Sequence, residues 1–142
     1  MRHSLLLCTI ILAGLAPTAA AQQPAPAPAG GIKLSDVAGT WDAKTMIGTN
    51  DSVVATYTLT ADDKGFMVTF PDRAALSTRV LASGRDSIVA EMGPYKSVLR
   101  AGQMVTTRVT YHFKGDAASG TFEARYASGD VLRGTVAATR RK

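Results

Sequence analysis

The fold of this chain is decided by residues 103–126, which read QMVTTRVTYHFKGDAASGTFEARY. Apolar and polar side chains alternate along both halves of this stretch, and that period of two predicts extended strands. Between the halves, Lys114-Gly115-Asp116 supplies residues that favour a tight turn. The stretch therefore predicts an antiparallel hairpin with one apolar and one polar face, as in a sheet that covers a core on one side.

The same alternation extends from Gly39 towards the C terminus and gives nine strand candidates. They are Thr40–Ile47, Ser52–Thr60, Gly65–Phe70, Leu76–Ala82, Ser87–Met92, Lys96–Arg100, Gln103–Phe113, Gly120–Tyr126 and Val131–Thr139. Every connection between them is short, which makes consecutive strands antiparallel neighbours because a parallel return needs a long crossover. We therefore predict an all-β, antiparallel up-and-down meander of eight or nine strands that closes into a small barrel. A two-sheet β-sandwich is the alternative fold.

The apolar phase of these strands predicts the core. It contains Trp41, Ala43, Thr45, Ile47, Val53, Ala55, Tyr57, Leu59, Phe66, Val68, Phe70, Val105, Val109, Tyr111, Phe113, Phe122, Ala124, Tyr126, Leu132, Val136 and Ala138. The opposite phase carries threonine, arginine, glutamate and histidine side chains, so we expect it to face water.

Residues 1–21 are interpreted as a secretory signal peptide, because an apolar run over Leu5–Leu15 ends near the small residues Ala19-Ala20-Ala21. That run is shorter than the roughly 20 residues that span a bilayer as a helix, so we expect no transmembrane segment. Residues 22–31, QQPAPAPAGG, predict a Pro/Ala-rich disordered tether, and residues 32–142 predict a single domain. We expect an exported protein, periplasmic or secreted, with a bacterial source favoured because the processed chain has no cysteine for a disulfide.

The composition argues against most cofactor chemistry. The only cysteine, Cys8, lies in the predicted leader, and His112 is the only histidine that follows it, so a transition-metal site lacks ligands. The chain has no glycine-rich turn between a strand and a helix, which is the usual sequence pattern of a nucleotide-binding site. Binding of a nucleic acid strand would need exposed aromatic side chains, whereas the aromatic residues here lie mostly in the apolar phase of the strands. We expect no cofactor, no metal and no nucleic-acid partner.

The formal charge of +5 comes from sixteen basic and eleven acidic residues. Three of the basic residues end the chain as Arg140-Arg141-Lys142, and without them the domain is close to neutral. We interpret this tail as a frayed, solvated terminus; contact with an anionic surface is the alternative.

The start of the domain carries a family resemblance. Gly39-Thr40-Trp41 follows a predicted helical turn over Lys33–Val37 and enters the first strand. Together with the meander and a late basic residue, this pattern resembles the calycin superfamily, which includes lipocalins, fatty-acid-binding proteins and avidins. The resemblance implies a barrel closed at one end by Trp41, with Arg140 across the indole ring, an arrangement that gains about 0.5–2 kcal/mol. The strands are shorter than those of a typical lipocalin, so we expect a narrow barrel with little internal volume.

Two groups of residues are candidates for a ligand site. Arg108, His112, Glu123 and Arg125, with Arg133, share the polar face of neighbouring strands. They predict either a patch for an anionic or carboxylate-bearing ligand or a ladder of cross-strand charge pairs on the outside of the barrel.

The second group lies in Gly93–Arg100, where Pro94 interrupts the meander. Tyr95 and Arg100 are expected to line the barrel mouth; the alternative is a β-bulge with Tyr95 packed on the outside. We expect a binding or interaction module for a small apolar or anionic ligand or a partner protein. The alternatives are a cofactor-free hydrolase or isomerase that uses His112 and Glu123, and a structural envelope-associated domain.

Overall fold

The computed structural model describes residues 31–142. The predicted leader over residues 1–21, and the predicted tether apart from Gly31, lie outside the described residues. Within the described range, no helix is both long and apolar enough to cross a membrane.

The chain forms one short 3₁₀ helix, Leu34–Val37, followed by nine strands. The strands are β1 Gly39–Ile47, β2 Ser52–Asp62, β3 Gly65–Thr69, β4 Leu76–Ser77, β5 Arg79–Ser83, β6 Ser87–Lys96, β7 Met104–Lys114, β8 Ala117–Tyr126 and β9 Val131–Arg140. All neighbours pair antiparallel in the order β4-β3-β2-β1-β9-β8-β7-β6-β5. Because the first strand pairs with the last, the meander curls into a nearly closed barrel, and the predicted fold class is confirmed.

The barrel closes where one extended segment changes partner. Leu76–Ser77 pairs with β3, whereas Arg79–Ser83 pairs with β6. Thr78 lies between them, and its backbone N–H donates to the carbonyl of Phe66 at 2.9 Å. The single strand predicted over this segment is therefore divided into two short strands that join the two sides of the sheet.

The predicted strand over Lys96–Arg100 is wrong. β6 continues to Lys96 through a register shift between Met92 and Tyr95, and a loop follows over Ser97–Gln103, here called the mouth loop. The Ser97 hydroxyl accepts the backbone N–H groups of Leu99 and Arg100 at 3.1 and 3.0 Å, which holds a turn instead of a strand.

The predicted position of Val53 in the core is also wrong. Thr45 pairs with Ala55, but the next residue of β1, Met46, pairs with Val53. Val54 is therefore an extra residue that bulges out of the ladder, and a one-residue bulge reverses the phase beyond it. Val53 consequently points outward and is 51% exposed.

The other inward residues form one continuous core. Two glycines allow the barrel wall to approach this core closely. A Cβ atom at Gly134 would lie 2.2 Å from the Met46 carbonyl oxygen and 2.5 Å from the Phe122 ring, and one at Gly120 would lie 1.7 Å from the Thr110 carbonyl oxygen. Only glycine fits at these two positions without moving the backbone of the neighbouring strand.

Candidate functional site

One end of the barrel, here called the floor, is closed by Trp41, which is fully buried. Its indole Nε1 donates to the Val37 carbonyl at 3.0 Å, and the Arg140 guanidinium lies 4.5 Å from the ring centre. Arg140 also donates to the carbonyls of Ala38 and Asp36. The guanidinium thus ties the 3₁₀ helix to the last strand and seals this end.

The first two residues of the basic tail, Arg140 and Arg141, are held against the floor. The expectation of a frayed terminus is therefore wrong for these two residues. The backbone N–H of Arg141 donates to the Thr40 carbonyl at 2.8 Å, and its guanidinium pairs with Asp42. This hydrogen bond to Arg141 holds the pKa of Asp42 below its usual value. The tail extends the pairing of β9 with β1.

The polar candidates form a row of alternating charges on the outside of the barrel, here called the charge ladder: Arg79, Glu91, Arg108, Glu123 and Arg133. The five residues lie opposite one another on β5 to β9. Glu91 pairs with both of its neighbours, Arg79 and Arg108, whereas Glu123 pairs with Arg133. Arg125 adds a further pair to Glu123 at 2.6 Å. Hydrogen bonds from Arg108 and Arg79 lower the pKa of Glu91, and those from Arg125 and Arg133 lower that of Glu123.

The charge ladder offers little room for a ligand. A depression among its residues measures about 50 Å³. His112 is 54% exposed and lies 3.5 Å from Asp86. The register pairs His112 with Ser119 and Arg108 with Glu123, so His112 and Glu123 lie four residues apart along the ladder, about 13 Å. This distance does not allow the two side chains to act together as an acid–base pair.

The opposite end of the barrel, here called the mouth, is lined by hydroxyl groups that point inward. Tyr57 and Tyr111 share a hydrogen bond of 2.8 Å between their hydroxyl oxygens. Tyr95 and Thr107 share one of 2.9 Å. Tyr95 therefore lies inside the barrel wall, in contact with the Phe70 ring at 6.0 Å between centroids, and not on the outside.

These tyrosines are neutral at ordinary pH. Burial raises the pKa of Tyr57 to about 12, against the opposing effect of hydrogen bonds from Tyr111 and Thr45. Burial also raises the pKa of Tyr111 well above its usual value and that of Tyr95 more moderately. The mouth therefore presents neutral phenol groups, which can both donate and accept hydrogen bonds, and not phenolates.

Beneath the mouth loop, the hydroxyl groups border a cavity of about 40 Å³, here called the mouth cavity. Its lining includes all three buried serine and threonine residues and three of the four tyrosines: Thr45, Ser97, Thr107, Tyr57, Tyr95 and Tyr126. A second space deeper in the barrel measures about 10 Å³. The interior volume is small, as the short strands predicted.

The mouth cavity adjoins a more open space of about 290 Å³ at the rim, here called the mouth depression. The two spaces share Ala55, Phe70 and Val98 as lining residues. The mouth loop covers the mouth cavity through Ser97, Val98 and Leu99. Arg100 holds this loop through Asp130 at 2.7 Å and through the Tyr126 ring at 4.4 Å. Of the predicted site residues, the structure thus brings Tyr95 and Arg100 together at the mouth.

Donor protons remain unused in this cavity. Tyr95 and Thr107 share a single hydrogen bond, and neither hydroxyl makes another within residues 31–142. Ser97 lies 3.5 Å from the Tyr126 hydroxyl, which is long for a bond between two hydroxyl groups. A ligand with an acceptor oxygen can therefore receive hydrogen bonds from Tyr126 and from the Tyr95–Thr107 pair.

Arg73 was not predicted as a site residue, and it lies at the weakest point of the mouth. β6 pairs with β5 only as far as Glu91, so Met92–Lys96 pairs with β7 alone. Arg73 covers this unpaired edge by donating to the carbonyls of Lys96 and Ser97 at 2.5 and 3.3 Å. Nothing in the local sequence of the Pro71-Asp72-Arg73 turn indicates that role.

A depression of about 760 Å³ lies on the outside of β9, β1 and β2, and it shares Phe70, Pro71 and Arg73 with the mouth depression. It is shallow, and the exposed part of its lining is mostly apolar. It gathers fewer buried hydroxyl groups than the mouth cavity, which therefore remains the best-defined site.

Residues 31–142 contain no group of three or more His, Cys, Asp or Glu side chains placed to hold a metal ion. Comparison of the chain with protein-family models, with curated proteins and with solved structures found no match. The structure alone shows a nearly closed antiparallel barrel, which is compatible with a calycin-like fold.

Proposed function

We propose that this chain is an exported, calycin-like binding module that takes a small amphipathic molecule at its mouth. The observation that carries the proposal is the concentration of buried hydroxyl groups around the mouth cavity: Thr45, Ser97, Thr107, Tyr57 and Tyr126 all line it. A buried hydroxyl without full hydrogen bonding costs about 1–3 kcal/mol. Phenylalanine and valine at these positions would fill a purely structural core without that cost.

The size of the site limits the ligand. A cavity of about 40 Å³ admits only one end of a molecule, and the rest would occupy the mouth depression of about 290 Å³. Sites for small molecules usually measure about 300–1,000 Å³, so the combined space suits a short ligand and excludes a bulky one. The apolar contacts would come from Ala55, Phe70 and Val98.

The hydroxyl groups define the polar end of that ligand. Tyr126 and the Tyr95–Thr107 pair supply donor protons, so the ligand would present an acceptor oxygen to them. Arg100 and the mouth loop would then cover the bound molecule from the solvent side. The predicted leader and tether support a location outside the cytoplasm, where the mouth would meet such molecules.

The test is a titration of the purified protein with 1-hexanol, followed by NMR. We expect shifts of the Leu99 amide and of the Tyr126 ring signals that saturate with hexanol. Thr107→Val keeps the shape of the side chain and removes the inner hydroxyl, and it should weaken binding about tenfold.

Thr110→Val is the matched control, because Thr110 lies on the same strand and is less buried than Thr107. It should bind hexanol like the unaltered protein. If neither hexanol nor hexanoate causes saturable shifts at the mouth, the proposed function is wrong and a structural or partner-binding role takes its place.

A further inference from the structure

We infer that Arg73 is the specificity-determining residue of the mouth site and that the ligand class is short apolar carboxylates. This inference rests on the proposed function and adds the charge of the ligand to it. It depends on the partners of Arg73, on the edge that Arg73 covers, and on the side chains beside it.

The partners of Arg73 distinguish it from most other arginines. Seven of the nine arginines in residues 31–142 pair with a carboxylate. Arg140 is counted among them because its Nε lies 3.1 Å from the Asp116 carboxylate, although the two groups do not form a hydrogen bond. Within the same range, Arg73 and Arg85 have no carboxylate partner. Arg85 lies in the turn between β5 and β6 at the floor, whereas Arg73 borders the mouth depression.

The groups that Arg73 binds are readily replaced. Its guanidinium donates to two neutral carbonyl oxygens, those of Lys96 and Ser97. A hydrogen bond to a carboxylate is roughly twice as strong as one to a neutral acceptor, and the guanidinium can hold a carboxylate with two parallel bonds. A ligand carboxylate at the mouth would therefore displace these carbonyls. Lys96 lies at the exposed end of β6, so water can reach the carbonyl that is released.

The surroundings of Arg73 suit an acid with a short apolar chain. Phe70, Pro71 and Val98 line the mouth depression with it, so that part of the wall beside the cation is apolar. The positive charge of Arg73 also acts on the Tyr95 hydroxyl, where it opposes the increase in pKa that burial causes. A carboxylate at this point would thus meet the guanidinium, while its chain packs on Phe70 and Val98, which line both the mouth depression and the mouth cavity.

Displacement of the carbonyls also frees the edge of the barrel. Met92–Lys96 has no backbone partner on the side of Arg73, and the Phe70–Tyr95 ring contact is the other link across this gap. Carboxylate binding would therefore loosen the start of the mouth loop and open the path to the mouth cavity.

The experiment compares 1-hexanol with hexanoate at pH 7 in the unaltered protein and in two variants, Arg73→Gln and Arg85→Gln. Hexanoate should bind about tenfold more tightly than hexanol to the unaltered protein and to the Arg85→Gln control. Arg73→Gln should lose this preference, so that the ratio of its affinities for hexanoate and hexanol falls about tenfold. Hexanol binding without a preference for hexanoate, or a preference that persists in Arg73→Gln, overturns the inference and leaves the proposed function intact.

Absence of binding by both molecules overturns the proposed function and this inference with it. If Arg73→Gln does not fold, Arg73→Lys takes its place in the comparison of hexanoate with hexanol. Lysine keeps the positive charge but cannot form two parallel hydrogen bonds to a carboxylate. The preference for hexanoate should then fall several-fold, and an unchanged preference would overturn the assignment.

Discussion

The hydroxyl groups of Tyr57 and Tyr111 meet at 2.8 Å across the inside of the barrel, 54 residues apart in the chain. Tyr57 comes from β2 and Tyr111 from β7, two strands that are not neighbours in the sheet. The bond therefore links opposite walls of the barrel directly.

Removal of one partner should measure the strength of this link. Tyr111→Phe deletes the hydroxyl that faces Tyr57 and leaves the ring in place, so we expect the free energy of unfolding to fall by about 1 kcal/mol. Urea unfolding monitored by Trp41 fluorescence is the measurement. Tyr95→Phe, which removes a less buried hydroxyl, should have a smaller effect; the reverse order would contradict the burial described for these groups.

The same tyrosines predict an alkaline limit to stability. The pKa of Tyr57 is about 12 in the folded protein and about 10 in an unfolded chain. Its contribution is therefore fully present below about pH 10 and is lost as the pH rises towards 12. Absorbance at 295 nm should show tyrosines that ionise only as the protein unfolds, and Tyr57→Phe should make the loss of stability between pH 10 and 12 less steep. An equal slope in the variant would contradict the assignment.

Arg140 should contribute more to stability than the neighbouring Arg141. Arg140→Gln removes the guanidinium from the Trp41 ring and from two carbonyls of the 3₁₀ helix and its end, with an expected loss of about 1–3 kcal/mol. Arg141→Gln removes an exposed ion pair with Asp42 and should reduce stability less than Arg140→Gln does. Thermal unfolding of both variants measures the difference in stability. The fluorescence emission of Trp41 should shift to the red only in Arg140→Gln.

The charge ladder should make the barrel sensitive to acid. The arginines lower the pKa of Glu123 and Glu91 in the folded state. Their contribution is therefore present above the unfolded pKa, about 4.3, and is lost as the pH falls through the lower folded values. Glu123→Gln should reduce the change in stability between pH 6 and pH 3, as measured by urea unfolding. Asp63→Asn, at a turn residue with no ion pair in the described chain, should leave that change intact.

The strands and the core were predictable because their signal is local. Alternation along residues 103–126 fixes which side chains share a face, and short turns fix the antiparallel order. The Gly39-Thr40-Trp41 pattern likewise placed the indole at one end of the domain. These features depend on neighbouring residues only.

Departures from the prediction arise from contacts between distant segments. The bulge at Val54 follows from the pairing of β2 with β1, and the division of β4 from β5 at Thr78 follows from barrel closure. Tyr95 and Arg100 were placed at the mouth by the sequence, but Arg73 was not, because its partners lie 23 and 24 residues away. Arg108, His112, Glu123 and Arg125 share a polar face, as alternation implies, yet that face is the outside of the barrel.

Both described ends of the chain lie at the floor. The backbone N–H of Ile32 donates to Gly84 in the turn between β5 and β6, and Arg141 pairs with Thr40 at the start of β1. A label, a surface attachment or a fused domain joined after Lys142, or directly before Gly31 in a shortened chain, would therefore emerge from the sealed side of the molecule. The opposite rim would stay clear, so immobilised protein can be assayed for ligand uptake in the orientation that leaves its opening free.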